Sequence, residues 1–482
     1  MIVNILSIIV QLINIITIFY MIFKEKRSAN SVVAWTLLLY IMPYIGFIIY
    51  LLVGRKINNK KIYILKEDEI KMFKKYENHI KKRDELNLQE KNIRMIRAIE
   101  NMGYFPYRNN NKIEMFFDGK DFFDHLIESL KKAEKRINIQ FYIFKSDEIG
   151  RSILNILKEK AEDGVEVRLL YDSVGSRSLN KEFLKDLRAV GVKTGEFFPS
   201  WLRFININMN FRNHRKIVVI DNRTAFVGGF NVGDEYLGKD PKFGYWRDTH
   251  IKFKGPAVKD LNLRFLADWR SATKEDIGFE HVLDGVDELK EVNEELEIND
   301  GIQIIASGPN PNNFFEIKLS YLKMIQNAKE YVYIQSPYLV IDNSVADSLK
   351  LAAVSGVDVR VMIPGKGDHP FIYWANSVYA GELLNFGVKI YRYDKNAFLH
   401  SKTVVIDDEI CSVGTANMDT RSFELNFEVN ALIYSEKIAR EQRKHFEEDM
   451  LKSVELTAQE YKKRGTTVKI KEAISKLFSG VL

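Results

Sequence analysis

Apolar and polar positions follow three regimes along this chain. At the amino terminus, Ile2 to Phe23 and Val32 to Val53 are each 22 residues without a charge. As helix, each would reach about 33 Å, so two transmembrane helices are expected within residues 1–55. Asn4, Gln11 and Asn14 interrupt the first run and Pro43 the second. Residues 56–112 are charged with a helical rhythm, which reads as a juxtamembrane stalk on the bilayer face. From there on, short β-branched runs alternate with amphipathic stretches, the pattern of strands covered by helices.

These runs recur. Ile137-Asn-Ile-Gln-Phe-Tyr-Ile143 resembles Tyr331-Val-Tyr-Ile-Gln-Ser-Pro-Tyr338, and Gly164-Val-Glu-Val-Arg-Leu-Leu170 matches Gly356-Val-Asp-Val-Arg-Val-Met362. Gly191-Val-Lys193 matches Gly387-Val-Lys389 in the same order. Each half thus reads strand, helix, strand, helix, strand, an α/β layer fold with a parallel or mixed sheet. The period is too long for a solenoid, so one domain is duplicated. The halves fall at 113–274 and 301–450, separated by an acidic linker at 275–300 whose eleven carboxylates face one lysine, Lys290. Dense unpaired carboxylates of this kind are a solvated segment rather than a metal site. The basic tail, 451–482, alternates lysines with Val468, Ile470, Ile474 and Leu477. It reads equally as a helix lying on a membrane and as one packed on the domain.

The repeat carries chemistry. His214-x-Lys216-x4-Asp221 precedes Gly228-Gly-Phe-Asn231, and 186 residues later His400-x-Lys402-x4-Asp407 precedes Gly414-Thr-Ala-Asn417. Both lie in apolar runs that read as buried strands. With a period of two, His and Lys project from one face, so each copy offers an imidazole beside an ammonium. A lone His-x-Lys is usually an ordinary strand residue and its neighbour. Repetition in matching context leaves that reading little room. Two copies make a whole site suited to a phosphodiester. One His attacks phosphorus, the other protonates the leaving alkoxide, and Lys216, Lys402, Asn231 and Asn417 hold the phosphoryl oxygens. The expected catalytic set is His214, Lys216, Asp221, His400, Lys402 and Asp407, with Asn231 and Asn417 binding substrate. The two aspartates end their strands and are expected to hold local structure. No metal and no cofactor is required, because the protein supplies the cations.

Each His also needs a partner on its second nitrogen to fix its orientation. One carboxylate follows each motif in an apolar run, Asp248 after the first and Glu428 after the second. Asp248 is therefore expected to orient His214, and Glu428 to orient His400. Alternation places His250 on the face of Asp248, at the edge of the site.

Charge and cysteine use refine the class. The net charge is +6, from 71 basic and 65 acidic residues. That suits an anionic bilayer but is too weak to argue for nucleic acid. The single cysteine, Cys411, excludes an internal disulfide and reads as a small buried hydrophobe. Lys24, Lys26 and Arg27 lie between the two apolar runs, and Arg55, Lys56, Lys60, Lys61 and Lys66 follow the second. The larger excess after the second run places the catalytic part in the cytoplasm.

The paired motifs resemble those of the phospholipase D superfamily. Asn213-His-Arg-Lys-Ile-Val-Val-Ile-Asp221, Gly228-Gly-Phe-Asn-Val-Gly-Asp-Glu-Tyr236, Trp246-Arg-Asp248 and Ser336-Pro-Tyr338 resemble bacterial cardiolipin synthases in particular. So does Gly414-Thr-Ala-Asn-Met-Asp-Thr-Arg-Ser-Phe-Glu-Leu-Asn-Phe-Glu428. The resemblance implies a duplicated phospholipase D-like α/β sandwich whose two similar halves share one active site, preceded by two transmembrane helices. It implies phosphatidyl transfer between two phosphatidylglycerols through a phosphohistidine, with His214 as nucleophile, in a multi-pass protein of the bacterial cell membrane. Two other readings remain. Nucleic-acid cleavage predicts a strongly basic groove and no anchor. A silent membrane scaffold would be free to lose its His/Lys/Asn sets. The residues leave open whether the acceptor is phosphatidylglycerol, phosphatidylethanolamine or water.

Overall fold

The computed structural model describes residues 2–25, 29–54, 90–199, 211–275, 277, 281, 300–309 and 314–479. In the first half the strands are β1 (Tyr107–Phe116), β2 (Arg136–Phe141), β3 (Glu166–Asp172), β4 (Lys193–Phe197), β5 (Ile217–Ile220), β6 (Thr224–Gly228), β7 (Tyr245–Arg247) and β8 (His250–Lys254). The second half begins with β9 (Asp300–Ser307), β10 (Tyr331–Gln335), β11 (Leu339–Val340), β12 (Asp358–Ile363) and β13 (Lys389–Arg392). It continues with β14 (Ala397–Leu399), β15 (Thr403–Ile406), β16 (Ile410–Gly414), β17 (Met418–Asp419), β18 (Glu428–Tyr434) and β19 (Val454–Leu456).

The first half orders its strands β1-β8-β6-β5-β2-β3-β4 and the second β9-β18-β16-β15-β10-β12-β13-β19. The duplication read from the sequence is therefore a duplication of topology. Within each half, β2-β3-β4 and β10-β12-β13 are parallel and the remaining neighbours antiparallel. The opening strands of the two halves, β1 and β9, pair antiparallel and join these two orders into one 15-stranded sheet, with β11-β17 and β14-β7 as separate two-stranded pairs. Antiparallel pairing of equivalent strands is what a pseudo-twofold axis between them produces.

The continuous apolar runs follow from burial on both faces. In β5, Ile217 and Val219 face one core cluster, and Val218 and Ile220 face the other. Helices Gly119–Lys131 and Glu148–Glu162 cover one face of the first half, each opened by an aspartate, Asp118 or Asp147, that caps backbone N–H groups. The opposite face meets helix Ala257–Thr273, which is buried along most of its length.

Three boundaries differ from the sequence expectation. Strand β1 begins at Tyr107, inside the expected stalk, and helix Glu90–Met102 docks on the body rather than standing away from it. Its Met95, Ile96 and Ile99 are buried, and Asn92 donates to Glu409 of the second half at 3.0 Å. Residues 56–89 lie outside the described residues, as does most of the acidic linker. The tail is also part of the second half, because β19 pairs with β13 and helix Thr466–Ser479 packs along helix Pro370–Leu384.

At the amino terminus, α1 (Ile2–Phe23) is followed by α2 (Ala29–Ile41) and α3 (Pro43–Ile49). The second expected span is broken at Met42, because Pro43 has no N–H to give to the carbonyl of Leu39. Asn14 of α1 donates to that orphaned carbonyl at 3.2 Å and to Pro43 O at 3.2 Å, so the polar residue that interrupts the first run repairs the break in the second. Among the described residues, no helix is long and apolar enough to cross a membrane.

Candidate active site

Two short contacts between the halves build the site. Strand β14 pairs in parallel with β7, with Leu399 opposite Arg247, and Asn213 forms a bridge with Phe427. Each register brings the next residues side by side, His400 with Asp248 and His214 with Glu428. The backbone fixes this, since His400 N donates to Arg247 O at 2.7 Å and His214 N to Phe427 O at 2.9 Å.

The side chains complete the crossing. His214 Nδ1 lies 2.9 Å from Glu428 Oε2, and His400 Nδ1 lies 2.6 Å from Asp248 Oδ2. The expected pairing within each half is thus corrected: Asp248 orients His400, and Glu428 orients His214. A carboxylate only accepts, so each Nδ1 carries the hydrogen and each Nε2 keeps its lone pair. Gly229 makes room for this. A Cβ there would lie 1.9 Å from Asp248 Oδ1.

The lysines are buried beside them. Lys216 Nζ donates to His214 O at 2.7 Å and lies 5.5 Å over the Tyr142 ring, while Lys402 Nζ sits 2.7 Å from His400 Nδ1. Burial lowers Lys216 to about 7 and Lys402 to about 8, each also feeling the charge of the other half's groups. His214 falls below the ordinary imidazole range through burial, against the pull of Glu428. Burial and the Lys402 ammonium push His400 down to about 4. Burial raises Asp248 and Glu428, but neighbouring Lys and His groups outweigh it and hold both below the usual carboxylate range. The site therefore presents neutral imidazoles, two ionised carboxylates and two ammonium groups that an arriving anion would stabilise. Among the described residues no group of His, Cys, Asp and Glu is arranged to hold a metal.

The remaining sequence candidates separate. Asp221 and Asp407 stand at the far ends of β5 and β15, in two-residue turns with positive φ of 54° and 50°. Asp221 accepts from the backbone N–H groups of Glu134, Lys135 and Arg136, and Asp407 from those of Lys329, Glu330 and Tyr331. They anchor the starts of β2 and β10 and do not reach the site, so their place in the catalytic set is corrected. Asn231 accepts from Ile143 N at 3.1 Å and donates to Tyr236 Oη at 3.0 Å. Asn417, two residues beyond the Thr415 carbonyl that lies 3.2 Å from His214 Nδ1, is buried with Oδ1 unpartnered. His250 packs against Phe122 with ring centroids 4.2 Å apart and planes tilted by 31°, inside the core of the first half rather than at the site edge.

Two aspartates were not singled out in the sequence. Arg215 meets Asp268 at 2.5 Å and reaches across to Glu428 O at 3.0 Å and Ser307 O at 2.9 Å. Arg247 crosses the same interface to Asp449 at 2.7 Å. Gln140 and Gln335, which hold matching places in the repeat, donate to these same aspartates at 2.8 Å. The matched glutamines and the corresponding positions of Asp268 and Asp449, in the helices that follow β8 and β18, were the available signal.

Known proteins resemble this chain in sequence and in fold. The chain matches the family described as "Cardiolipin synthase, PLD-like domain" over residues 126–243 and 321–450, and "Phospholipase_D-nuclease N-terminal" over 12–55. It is 47% identical over 490 residues to cardiolipin synthase 2 of Staphylococcus epidermidis, covering 100% of this chain and 98% of that protein. It is 43% identical over 479 residues to the major cardiolipin synthase of Bacillus subtilis, covering 98% of each. In fold it is similar to the crystal structure of a phosphatidylserine synthase from Haemophilus influenzae, with TM-score 0.60 and 15% identity over 80% of this chain and 98% of that one.

Proposed function

This chain belongs to the cardiolipin synthase family of phospholipase D-like proteins, and we propose that it transfers a phosphatidyl group from one phosphatidylglycerol to another, giving cardiolipin and glycerol. The observation that carries the reading is the crossed pair of His–carboxylate contacts with a buried lysine beside each imidazole. Nε2 of His214 attacks phosphorus and the P–O bond to the headgroup glycerol breaks. That alkoxide takes a proton from His400 Nε2 and leaves as glycerol. The neutral His400 then takes the hydroxyl proton of a second phosphatidylglycerol, whose oxygen attacks phosphorus as the P–N bond breaks. His214 departs neutral and His400 is again protonated. The phosphodiester anion makes the cycle possible, because its charge raises the lowered His400 and lysines at the moment their protons are needed.

The membrane is the natural setting. The amino-terminal helices expose Ile8, Ile9, Leu12, Ile16, Tyr40 and Ile41, more contiguous apolar surface than water tolerates on a lone unit. A multi-pass anchor with the catalytic halves on the basic, cytoplasmic side fits that surface and the lysines that follow it. Anchoring concentrates the acceptor alcohol against water at roughly 55 M.

Purified full-length protein in vesicles of labelled phosphatidylglycerol should yield cardiolipin and glycerol, with phosphatidic acid minor. Release of mainly phosphatidic acid would replace the synthase with a phospholipase.

A further inference from the structure

The helix Thr466–Ser479 is turned inside out. The side chains it buries against the domain are polar, since Glu472 and Ser475 are each 2% exposed. The side chains it offers outward are apolar, with Ile470 at 55%, Ile474 at 45% and Leu477 at 77% exposed. At about 100° per residue these three fall within roughly 60° of one another, on the side opposite Glu472. An ordinary surface helix does the reverse.

The polar side is held firmly. Glu472 accepts from Ser377 at 2.8 Å and from Arg464 at 2.6 Å. Lys471 stands 5.3 Å over Trp374 and Lys476 meets Glu382, so the helix runs parallel beside Pro370–Leu384. These partners fix which face looks outward, and rotation to bury the apolar stripe would break the contacts of Glu472. Charge flanks the stripe. Residues 457–479 carry six basic side chains against two acidic ones. Both acids are engaged, Glu460 in a capping box with Thr457 and Glu472 with Arg464. Lys469 and Lys476 border one edge of the stripe and Lys471 the other.

The position is as informative as the pattern. The parallel arrangement sets the Thr466 end beside the start of Pro370–Leu384, where Phe371 is 52% exposed and Asp368 meets the hydroxyl of Tyr338. Asp368 is close enough to Lys402 to influence its charge. Asn376 of the same helix holds Leu339 N and Pro337 O at 2.8 Å, and β11 there pairs with β17, directly after Asn417. The outward stripe is therefore joined by one helix to residues at the rim of the active site.

We propose that Thr466–Ser479 is an interfacial docking helix that lays Ile470, Ile474 and Leu477 into an anionic lipid surface and so seats the active-site rim on the bilayer. An apolar face bordered by lysines matches a surface of acyl chains beneath anionic headgroups, and the net positive charge of the segment gives the attraction its sign. This rests on the lipid-transfer reading above and adds a second contact to that of the amino-terminal helices. All three stripe residues are exposed, so replacing them leaves the packed face intact.

The test uses the full-length protein and the triple change Ile470→Asp, Ile474→Asp, Leu477→Asp. On phosphatidylglycerol vesicles turnover should fall about tenfold or more, whereas turnover of short-chain phosphatidylglycerol below its micelle concentration should be unchanged. Separately, Ile474→Cys carrying an environment-sensitive fluorophore should shift to the blue on such vesicles and be quenched by nitroxide lipids; Cys411 is buried and stays unlabelled. Unchanged turnover on vesicles, or equal loss in both assays, overturns the proposal. So does a fluorophore that ignores lipid while the protein doubles in mass, which would make the stripe a contact between two copies. If the unaltered protein makes no cardiolipin in either assay, the synthase reading fails while the fluorophore still decides the docking.

Discussion

Glu428 Oε2 lies 2.9 Å from Nδ1 of His214, a residue 214 positions earlier and in the other half of the chain. Its counterpart, Asp248 with His400 at 2.6 Å, crosses in the opposite sense. Neither half is a catalyst with its own orienting group. Each supplies the imidazole that the other half aims. The pseudo-twofold arrangement carries this, because among the described residues the segments just before His214 and His400 make their strand contacts with the other half.

Gly229 should be the least replaceable small residue of the site. Gly229→Ala would put a methyl 1.9 Å from Asp248 Oδ1, and the carboxylate must leave His400. Turnover should drop about 100-fold or more, in the range seen when an orienting group is lost. Gly164→Ala is the control, with φ of 89° but nothing within 4 Å. It should cost about 1 kcal/mol of stability and leave turnover unchanged once folded. Comparable activity for the two variants would show that Asp248 has room to move.

The buried lysines set a pH dependence with opposite signs for activity and stability. Lys216 at about 7 and Lys402 at about 8 both lie below the ordinary 10.5, burial being the main cause. At low substrate, kcat/KM should fall as pH rises through these values and the phosphate cradle loses its charge. Stability should move the other way. Above the folded values and below 10.5, the unfolded chain binds more protons, so this contribution to stability grows with pH across that window. Rate profiles and thermal melts at matched pH would check both; a rate that stays level through pH 7 to 8 and falls only near 10.5 would contradict the lowered lysines.

Asp221→Ala and Asp407→Ala should injure the fold and spare the chemistry. Each change strands three backbone N–H groups that the carboxylate now satisfies, at a cost of about 1–3 kcal/mol. Melting temperature should fall while kcat per folded molecule is retained. Loss of kcat without loss of stability would return these aspartates to the catalytic set.

Much of this was legible in the residues, and what was not has a physical reason. The duplicated fold and the shared His/Lys set were readable because strand periodicity fixes which side chains share a face. The crossing was not. A sequence that repeats its motif looks the same whichever half each carboxylate serves, and the intervals from His214 to Asp248 and from His400 to Glu428 suggested partners within each half. Asp268 and Asp449 sit in helices, where a carboxylate usually marks a solvated face, and only the packed helix reveals them as buried anchors for Arg215 and Arg247. The amphipathic pattern of Glu90–Met102 was readable, but what covers it, the second half of the body, was not.

The crossing itself is tested most directly by which carboxylate change reproduces which His change. In single-turnover reactions with phosphatidylglycerol, His400→Ala should build up a phosphatidyl adduct on His214, since attack proceeds slowly while the acceptor goes unactivated. Asp248→Asn should accumulate the same adduct, detected by mass spectrometry, because Asp248 aims His400. Glu428→Gln should behave instead like His214→Ala, with little or no adduct and a similar loss of turnover. If Glu428→Gln accumulated the adduct on His214 and Asp248→Asn did not, each carboxylate would be serving its own half, and the shared, crossed site would be wrong.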